Sequence, residues 1–166
     1  VLLALACMHD QKIVHCDIKG ENVLITEDGS ARICDFEMSK YLGAASASTL
    51  EGGTLGFLAP EVKDRQQKHS AYSDMYSFGV LALNLLIPPD PADYPRTDAS
   101  VITDVAIGWV ALLMHDDPAQ RPTALQLQVE PYFESALPLE WSSVTDAMGV
   151  DFVDVPDMCG IFEQRM

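Results

Sequence analysis

The chain has 166 residues, 48% hydrophobic and 21% charged, a balance that predicts a globular domain with a sizeable core. Acidic residues outnumber basic ones by 25 to 10, which gives a formal net charge of −15. A field of this sign repels nucleic acid and anionic membrane, so we expect neither as a partner, whereas basic partners or substrates would be attracted. The alternative explanation is that the charge only keeps the protein in solution.

The cysteines and the apolar runs indicate in which cellular compartment we expect the protein. The four cysteines form no CxxC pair: Cys7, Cys16, Cys34 and Cys159. This density favours a reducing, cytoplasmic compartment over a disulfide scaffold. The longest apolar run beyond the first residues, at about 78–87, is too short to span a bilayer. Because the first residue is Val1 and not Met, we expect it to lie inside a longer protein.

The first predicted elements are a helix and a β-hairpin. Residues 1–9 have the apolar spacing of a helix end. Short apolar runs at 23–25 and 31–34 are separated by a turn with an Asp-Gly pair, which tolerates the positive φ of a tight reversal. Such a hairpin brings Asn22 and Asp35 to the same end of its two strands.

A loop and a central helix are predicted next. Residues 39–53 are rich in small and hydroxyl side chains without periodicity, which is typical of a mobile loop. A helix is predicted from Asp74 to about Ile87, with Ser73 as its N-cap. Because its side chains are apolar nearly all the way round, we expect this helix to be buried at the centre of the domain.

The last part of the chain has two predicted helices and an acidic extension. The helices fit about 100–115 and a short segment after Pro122. We expect the folded domain to comprise residues 1–135 and an acidic C-terminal extension to comprise 136–166. Residues 139–166 hold six acids and one base among apolar residues, which favours either a weakly ordered terminus or a strip that docks on the domain or a partner.

Side chains that could take part in catalysis are concentrated in two short stretches. Residues 15–22 (HCDIKGEN) contain Asp17, then Lys19 two residues on and Asn22 five residues on. Beyond the hairpin, Asp35 opens the sequence DFE. This set of an acid, a base, an amide and a second acid can position a hydroxyl, neutralise a phosphoryl group and hold a divalent metal.

These stretches resemble the catalytic loop and the metal-binding motif of protein kinases. The resemblance implies that Asp17 is the catalytic base, that Lys19 neutralises the transferred phosphoryl group, and that Asn22 and Asp35 hold Mg²⁺ beside ATP. A lysine at position 19 points to Ser or Thr acceptors in a protein substrate. Leu24 would lie under the adenine ring.

The resemblance extends to the sequence GTLGFLAPE at 53–61, which is similar to the segment that positions the substrate peptide in kinases. It implies that Thr54 bridges the catalytic acid and lysine. The remaining matches have structural roles: a buried ion pair between Glu61 and Arg121, an acid that fixes the catalytic-loop backbone, and two rings that stack in the core. The acid is Asp74, and the rings belong to His15 and Phe36.

The resemblance covers only the C-lobe of a kinase. The matched motifs do not include the glycine-rich loop, the strand lysine or its partner glutamate of the N-lobe. We therefore expect a mainly α C-lobe with a short β-hairpin, inactive alone and completed by an N-lobe in cis. Glu37 stands where kinases have glycine, which would cost on the order of 1 kcal/mol or more if its φ were positive. The region 88–99 leaves little room for a docking helix.

Cys16 stands where kinases have an arginine that captures a phosphate of the activation loop. We therefore expect that phosphorylation of this loop does not activate the protein through arginine capture. The candidate acceptors in the loop are Ser46, Ser48 and Thr49.

Three functions remain open from the sequence. The first is an active Ser/Thr kinase that uses ATP and Mg²⁺ in the intact protein. The second is a pseudokinase or scaffold lobe that binds a protein partner without catalysis, which Glu37 and the acidic extension favour. The third is a nonfunctional remnant whose exposed apolar lobe interface makes it unstable.

Overall fold

The computed structural model describes residues 1–42, 52–86 and 104–128. This part of the chain is mostly helical, with two small antiparallel sheets. None of its helices is long and apolar enough to cross a membrane. Its helices and strands are α1 (Leu2–Asp10), β1 (Ile13–Val14), β2 (Val23–Ile25), β3 (Ala31–Ile33), β4 (Lys40–Tyr41), α2 (Pro60–Lys63), α3 (Ala71–Leu86), α4 (Asp104–Leu113) and α5 (Ala124–Gln128).

The hairpin forms where the sequence predicts it. Strands β2 and β3 pair antiparallel, with Val23 opposite Ile33, and Gly29 takes a φ of +82° in the turn. Beyond this pair, the amide of Cys34 donates to the carbonyl of Asn22 at 3.0 Å. The local turn chemistry therefore fixes the register that brings Asn22 and the residues after β3 to one end of the hairpin.

The prediction of an irregular loop from residue 39 is wrong at its start. Lys40 pairs with Val14 and Tyr41 with Ile13 as strands β4 and β1, and the amide of Leu42 donates to the carbonyl of Lys12 at 2.8 Å. A pair of two-residue strands has too few residues to show an apolar alternation, so the sequence pattern could not reveal it. Residues 43–51 lie outside the described part of the chain.

Helix α3 begins at Ala71, three residues earlier than predicted, and Ser73 is not its N-cap. The residue at the cap position is Ser70. Its side-chain oxygen accepts from the amide of Ser73 at 3.3 Å, while the Ser73 hydroxyl oxygen accepts from the amide of Ser70 at 2.9 Å. This reciprocal pair satisfies two amides at the helix start, as a capping box does. Two serines three residues apart explain why the first turn was misassigned.

Helix α3 is buried along most of its length but not all round. Met75 and Leu81 are in the core, whereas Leu85 is 54% exposed. The prediction that this helix is buried at the centre of the domain is therefore confirmed for its middle and wrong for its last turn. The helix contacts α4 at Gly79, where an added Cβ would lie 2.8 Å from the Cβ of Leu113. Only glycine permits such a close approach of the two helices.

The core joins the first and last helices of the described part to the loop between β1 and β2. Ile18, in that loop, is fully buried and belongs to this core. The loop is therefore fixed to the packed interior at its centre. The buried members of the core are Leu2, Leu5, Ile18, Met75, Leu81, Leu113, Ala124 and Leu127.

The later predicted helices are present as α4 and α5, and α4 is described from Asp104. The proline-rich stretch 88–99 and the acidic extension 136–166 both lie outside the described residues.

The contact of α3 with α4 predicts opposite effects for the same substitution at two helical glycines. Gly79→Ala places a methyl group against Leu113 and should destabilise the fold by about 1–3 kcal/mol. Gly108→Ala, on the exposed side of α4 with no atom within 4 Å, should stabilise it by about 0.5–1 kcal/mol. Urea titration of both variants measures the difference. Equal effects would contradict the close packing at Gly79.

Candidate active site

The backbone of the loop between β1 and β2 is held by the carboxylate of Asp74, the buried acid in the first turn of α3. Its Oδ2 accepts from the amide of His15 at 2.8 Å, and its Oδ1 accepts from the amide of Cys16 at 2.9 Å. Cys16 has a φ of +70°, a conformation that disfavours side chains other than glycine. The two hydrogen bonds to Asp74 therefore stabilise a strained turn directly before Asp17.

Sequence reasoning missed a third partner of this carboxylate, which is a side chain and not a backbone amide. The Nε2 of His9, in the last turn of α1, lies 3.0 Å from Oδ2 of Asp74. These residues are 65 positions apart. A single histidine at the end of a helix gives no signal of such a contact in the sequence.

Asp17 accepts hydrogen bonds from three side chains and one amide. The amide and the hydroxyl of Thr54 both donate to Oδ1 at 2.8 Å. The Nζ of Lys19 lies 2.8 Å from Oδ2 and donates to the Thr54 hydroxyl oxygen at 2.9 Å. The structure thus brings together the three residues that the sequence analysis assigned to catalysis.

Asn22 completes this cluster from the start of the hairpin. Its Nδ2 donates to the backbone carbonyl of Asp17 at 2.8 Å and to Oδ2 of Asp17 at 3.1 Å. Because both neighbours are acceptors, the nitrogen and not the oxygen of the amide must face them. The amide oxygen is then left for another ligand, and amide oxygen is a ligand that Mg²⁺ accepts.

The charges of the cluster reinforce one another. Burial raises the pKa of Asp17, but the hydrogen bonds from Lys19 and Thr54 outweigh it, and the pKa lies below its ordinary value. The hydrogen bond to Asp17 is the main cause that raises the pKa of Lys19, and the charges of Glu21 and Asp35 act in the same direction. At neutral pH the site therefore holds an ionised carboxylate and an ammonium group in contact.

Asp35 lies beyond β3 with a φ of +61° and an exposed side chain. Its charge contributes to the raised pKa of Lys19, so the second acid lies close enough to act on this cluster electrostatically. Together with the Asn22 amide oxygen it offers two oxygen ligands, a set that suits a Mg²⁺ ion completed by phosphate oxygens and water. No cluster of three or more His, Cys, Asp or Glu side chains suited to a metal occurs among the described residues.

The rings of His15 and Phe36 meet, but only one of them is in the core. Their centroids are 5.2 Å apart with planes at 61°, an edge-to-face contact. His15 is fully buried and its Nε2 lies 3.1 Å from the Cys34 carbonyl oxygen, whereas Phe36 is 40% exposed. The prediction that both rings stack in the core is therefore wrong for Phe36, which covers His15 from outside.

Glu37 does not carry the strain that the sequence analysis considered. In the segment 35–37 the positive φ is at Asp35, and Glu37 is not among the residues with positive φ. Its side chain is exposed, and its amide lies 3.4 Å from Oδ1 of Asp35. A glutamate is thus accommodated here without the cost of a left-handed backbone.

Cys16 carries a buried, uncharged thiol. Its side chain is 3% exposed, and Sγ lies 3.7 Å from the carbonyl oxygen of Val14. Burial, followed by the charge of Asp74, raises the pKa of the thiol to about 12. The thiol is therefore protonated at neutral pH and offers no positive charge to a phosphate.

Glu61 and Arg121 form a bidentate ion pair with both N–O distances at 2.8 Å, and they are 5% and 2% exposed. The guanidinium also donates to the His115 carbonyl at 2.7 Å and lies 4.9 Å from the centre of the Tyr76 ring. Removing one member of such a pair typically costs about 3–5 kcal/mol. The pair ties the segment after Thr54 to the turn after α4.

Leu24 lies on the hairpin away from these contacts. Its side chain is 55% exposed, next to Ile25 at 68%. The structure therefore leaves the position assigned to adenine contact on an open face of the hairpin.

The comparison with known proteins decides the family. The protein kinase domain model matches residues 1–133. The chain belongs to the protein kinase family. A probable receptor-like protein kinase of Arabidopsis thaliana is 44% identical over 114 residues, which cover 66% of this chain and 30% of that protein.

Two further relatives are matched over more of the chain. Mitogen-activated protein kinase kinase kinase 3 of Arabidopsis thaliana is 28% identical over 151 residues, which cover 81% of this chain and 25% of that protein. A bifunctional serine/threonine-protein kinase/NEDD4-like E3 ubiquitin-protein ligase of Dictyostelium discoideum is 29% identical over 177 residues, 82% of this chain and 9% of that protein. The chain thus spans less than a third of the length of these relatives.

The charge balance of the cluster predicts how Asp17 titrates. In Lys19→Met the carboxylate loses its cation while burial remains, so the pKa of Asp17 should rise. With Lys19 present, the lowered pKa of Asp17 stabilises the folded state at pH values above the unfolded pKa of about 3.9. This stabilisation is lost as the pH falls through the pKa of Asp17 in the folded state. The variant should therefore lose stability relative to wild type near neutral pH.

Carbon-detected NMR titration of the carboxyl groups measures this change. Asp28 is an internal reference, since the hydrogen bond from Thr26 lowers its pKa independently of Lys19. An unchanged Asp17 pKa in the variant would contradict the assigned role of Lys19.

Proposed function

We propose that this chain is the catalytic lobe of a protein serine/threonine kinase, which transfers the γ-phosphoryl group of ATP to a Ser or Thr hydroxyl of a protein substrate in the intact protein. The supporting observation is the contact of Asp17 with Lys19 and Thr54 at 2.8 Å. Phosphoryl transfer needs little covalent chemistry and depends on positioned groups and cations. The cluster supplies both before any substrate arrives.

In this proposal each side chain has one task. The Asp17 carboxylate, kept ionised by its hydrogen bonds, accepts the proton of the substrate hydroxyl. Lys19 stabilises the negative charge on the transferred group. Thr54 contacts both Asp17 and Lys19 and keeps the two side chains in place. Asn22 and Asp35 would hold Mg²⁺, which neutralises phosphate charge when bound.

The type of acceptor hydroxyl, the charge of the substrate and the missing part of the ATP site are proposed on other grounds than the contacts within the cluster. A Ser or Thr acceptor is supported by Lys19 and by the serine/threonine kinases among the relatives. A basic substrate segment is favoured by the net charge of −15. We further propose that an N-lobe in cis completes ATP binding in a cytoplasmic protein, that residues 1–135 form the lobe, and that 136–166 are its acidic extension.

A second candidate, a scaffold lobe without catalysis, is favoured by Glu37. Its side chain is exposed two residues after Asp35, and its carboxylate would add negative charge near the phosphate site. This candidate predicts partner binding that does not depend on Asp17.

The catalytic role of Asp17 predicts a large loss on removal of its charge. Asp17→Asn in the full-length protein keeps the shape of the side chain, and we expect the rate of phosphate transfer to a Ser/Thr peptide to fall by about 10²–10⁴-fold. Asp64→Asn, the same change at an exposed position after α2, should leave the rate unchanged. A partner bound equally well by wild type and Asp17→Asn, with no transfer by either, would favour the scaffold.

Because a buried thiol stands at position 16 in place of arginine, we predict that phosphorylation of the loop does not activate the protein through an arginine–phosphate contact. Replacing Ser46, Ser48 and Thr49 together with Ala should leave the transfer rate of the full-length protein unchanged, because Cys16 offers no charge to a phosphate. Steady-state kinetics of the triple variant measures this. A large fall in rate would overturn the interpretation.

A further inference from the structure

A two-residue glycine turn, Gly52–Gly53, leads directly into Thr54. Gly52 has a φ of +135° and Gly53 a φ of +92°, both in the region that favours glycine. A Cβ added at Gly53 would lie 2.7 Å from the carbonyl oxygen of Cys16, so the turn is packed against the loop that carries Asp17. The conformation of the glycine turn therefore determines where the amide and hydroxyl of Thr54 point.

His69, just before α3, bounds the glycine turn on another side. Its side chain is buried, its Nε2 lies 3.2 Å from the Gly52 carbonyl oxygen, and its Cε1 would lie 3.6 Å from a Cβ at Gly53. Because a carbonyl oxygen only accepts, Nε2 must carry a hydrogen. Burial is the main cause that lowers the pKa of His69, so the ring is neutral at pH 7 and donates from Nε2.

We propose that His69 is a positioning residue for the reaction. Its hydrogen bond to the Gly52 carbonyl holds the glycine turn against the catalytic loop and thereby keeps the Thr54 hydroxyl between Asp17 and Lys19. Glycines have unusual backbone freedom, so without the donor the turn would leave this conformation and Thr54 would leave Asp17. The kinetic consequence rests on the proposed phosphoryl transfer, whereas the effect on Thr54 does not.

Three substitutions in the full-length protein separate the hydrogen bond from the packing. His69→Phe keeps a planar ring and removes the hydrogen-bond donor. His69→Leu also removes the donor and replaces the ring by a side chain of different shape. His69→Gln keeps an amide donor that can reach the same carbonyl. The matched control is His115→Phe, at an exposed histidine beyond α4 whose ring accepts from the nearby Asp117 amide, so it removes a histidine hydrogen bond away from the glycine turn.

The direct readout is hydrogen exchange of the Thr54 amide, which donates to Asp17 at 2.8 Å. We expect exchange about tenfold faster in His69→Phe and His69→Leu, the effect of losing one buried hydrogen bond, and near the wild-type rate in His69→Gln and His115→Phe. The kinetic readout should follow it, with kcat for peptide phosphorylation about tenfold lower in the apolar variants and KM for ATP unchanged.

The outcomes distinguish failure of the positioning role from failure of the proposed function. Wild-type exchange in a folded His69→Phe protein, or equally fast exchange in His69→Gln, would overturn the positioning role. Failure of both apolar variants to fold would make the contact structural and would also overturn it. Faster exchange without any transfer by the wild-type protein would support the hydrogen bond and contradict the proposed function instead.

Discussion

The site depends on one buried carboxylate. Asp74 accepts the amides of His15 and Cys16 at 2.8 and 2.9 Å, and it lies in the first turn of the helix that contributes Met75 and Leu81 to the core. A left-handed Cys16 is costly, and such a conformation persists only where the surroundings enforce it. The direction of Asp17 is therefore set by a helix that follows it by more than fifty residues.

A second set of contacts fixes Asp17 from the other side. Thr54 donates to its carboxylate twice, and Thr54 in turn follows a glycine turn that packs on Cys16 and His69. The buried ion pair of Glu61 with Arg121 ties the next part of the same segment to the turn after α4. Acid, lysine and threonine are thus arranged by three distant parts of the chain, and this preorganisation is what transition-state stabilisation requires.

Much of this arrangement could be predicted from local sequence. The Asp-Gly turn fixes the hairpin register, and the spacing of Asp17, Lys19 and Asn22 places them on one short loop. The start of α3 could not be predicted, because Ser70 and Ser73 are both good caps and only their reciprocal hydrogen bonds decide between them. Strand β4 is too short for a pattern and exists through its pairing with β1.

The contacts that the sequence did not reveal are those between distant polar groups. His9 on Asp74 and His69 on the Gly52 carbonyl join residues far apart in the chain, and an isolated histidine has no periodicity that predicts its partner. The exposure of Phe36 was missed for a related reason, since a large apolar residue after a strand is most often buried. Such features follow from tertiary packing.

The decisive measurement is transfer of labelled γ-phosphate from ATP to a basic peptide with one Ser or Thr. It uses the full-length wild-type protein, once with Mg²⁺ and once with a chelator. We expect phosphoserine or phosphothreonine only when Mg²⁺ is present. A folded full-length protein that binds ATP and Mg²⁺ and still transfers no phosphate would contradict the proposed function.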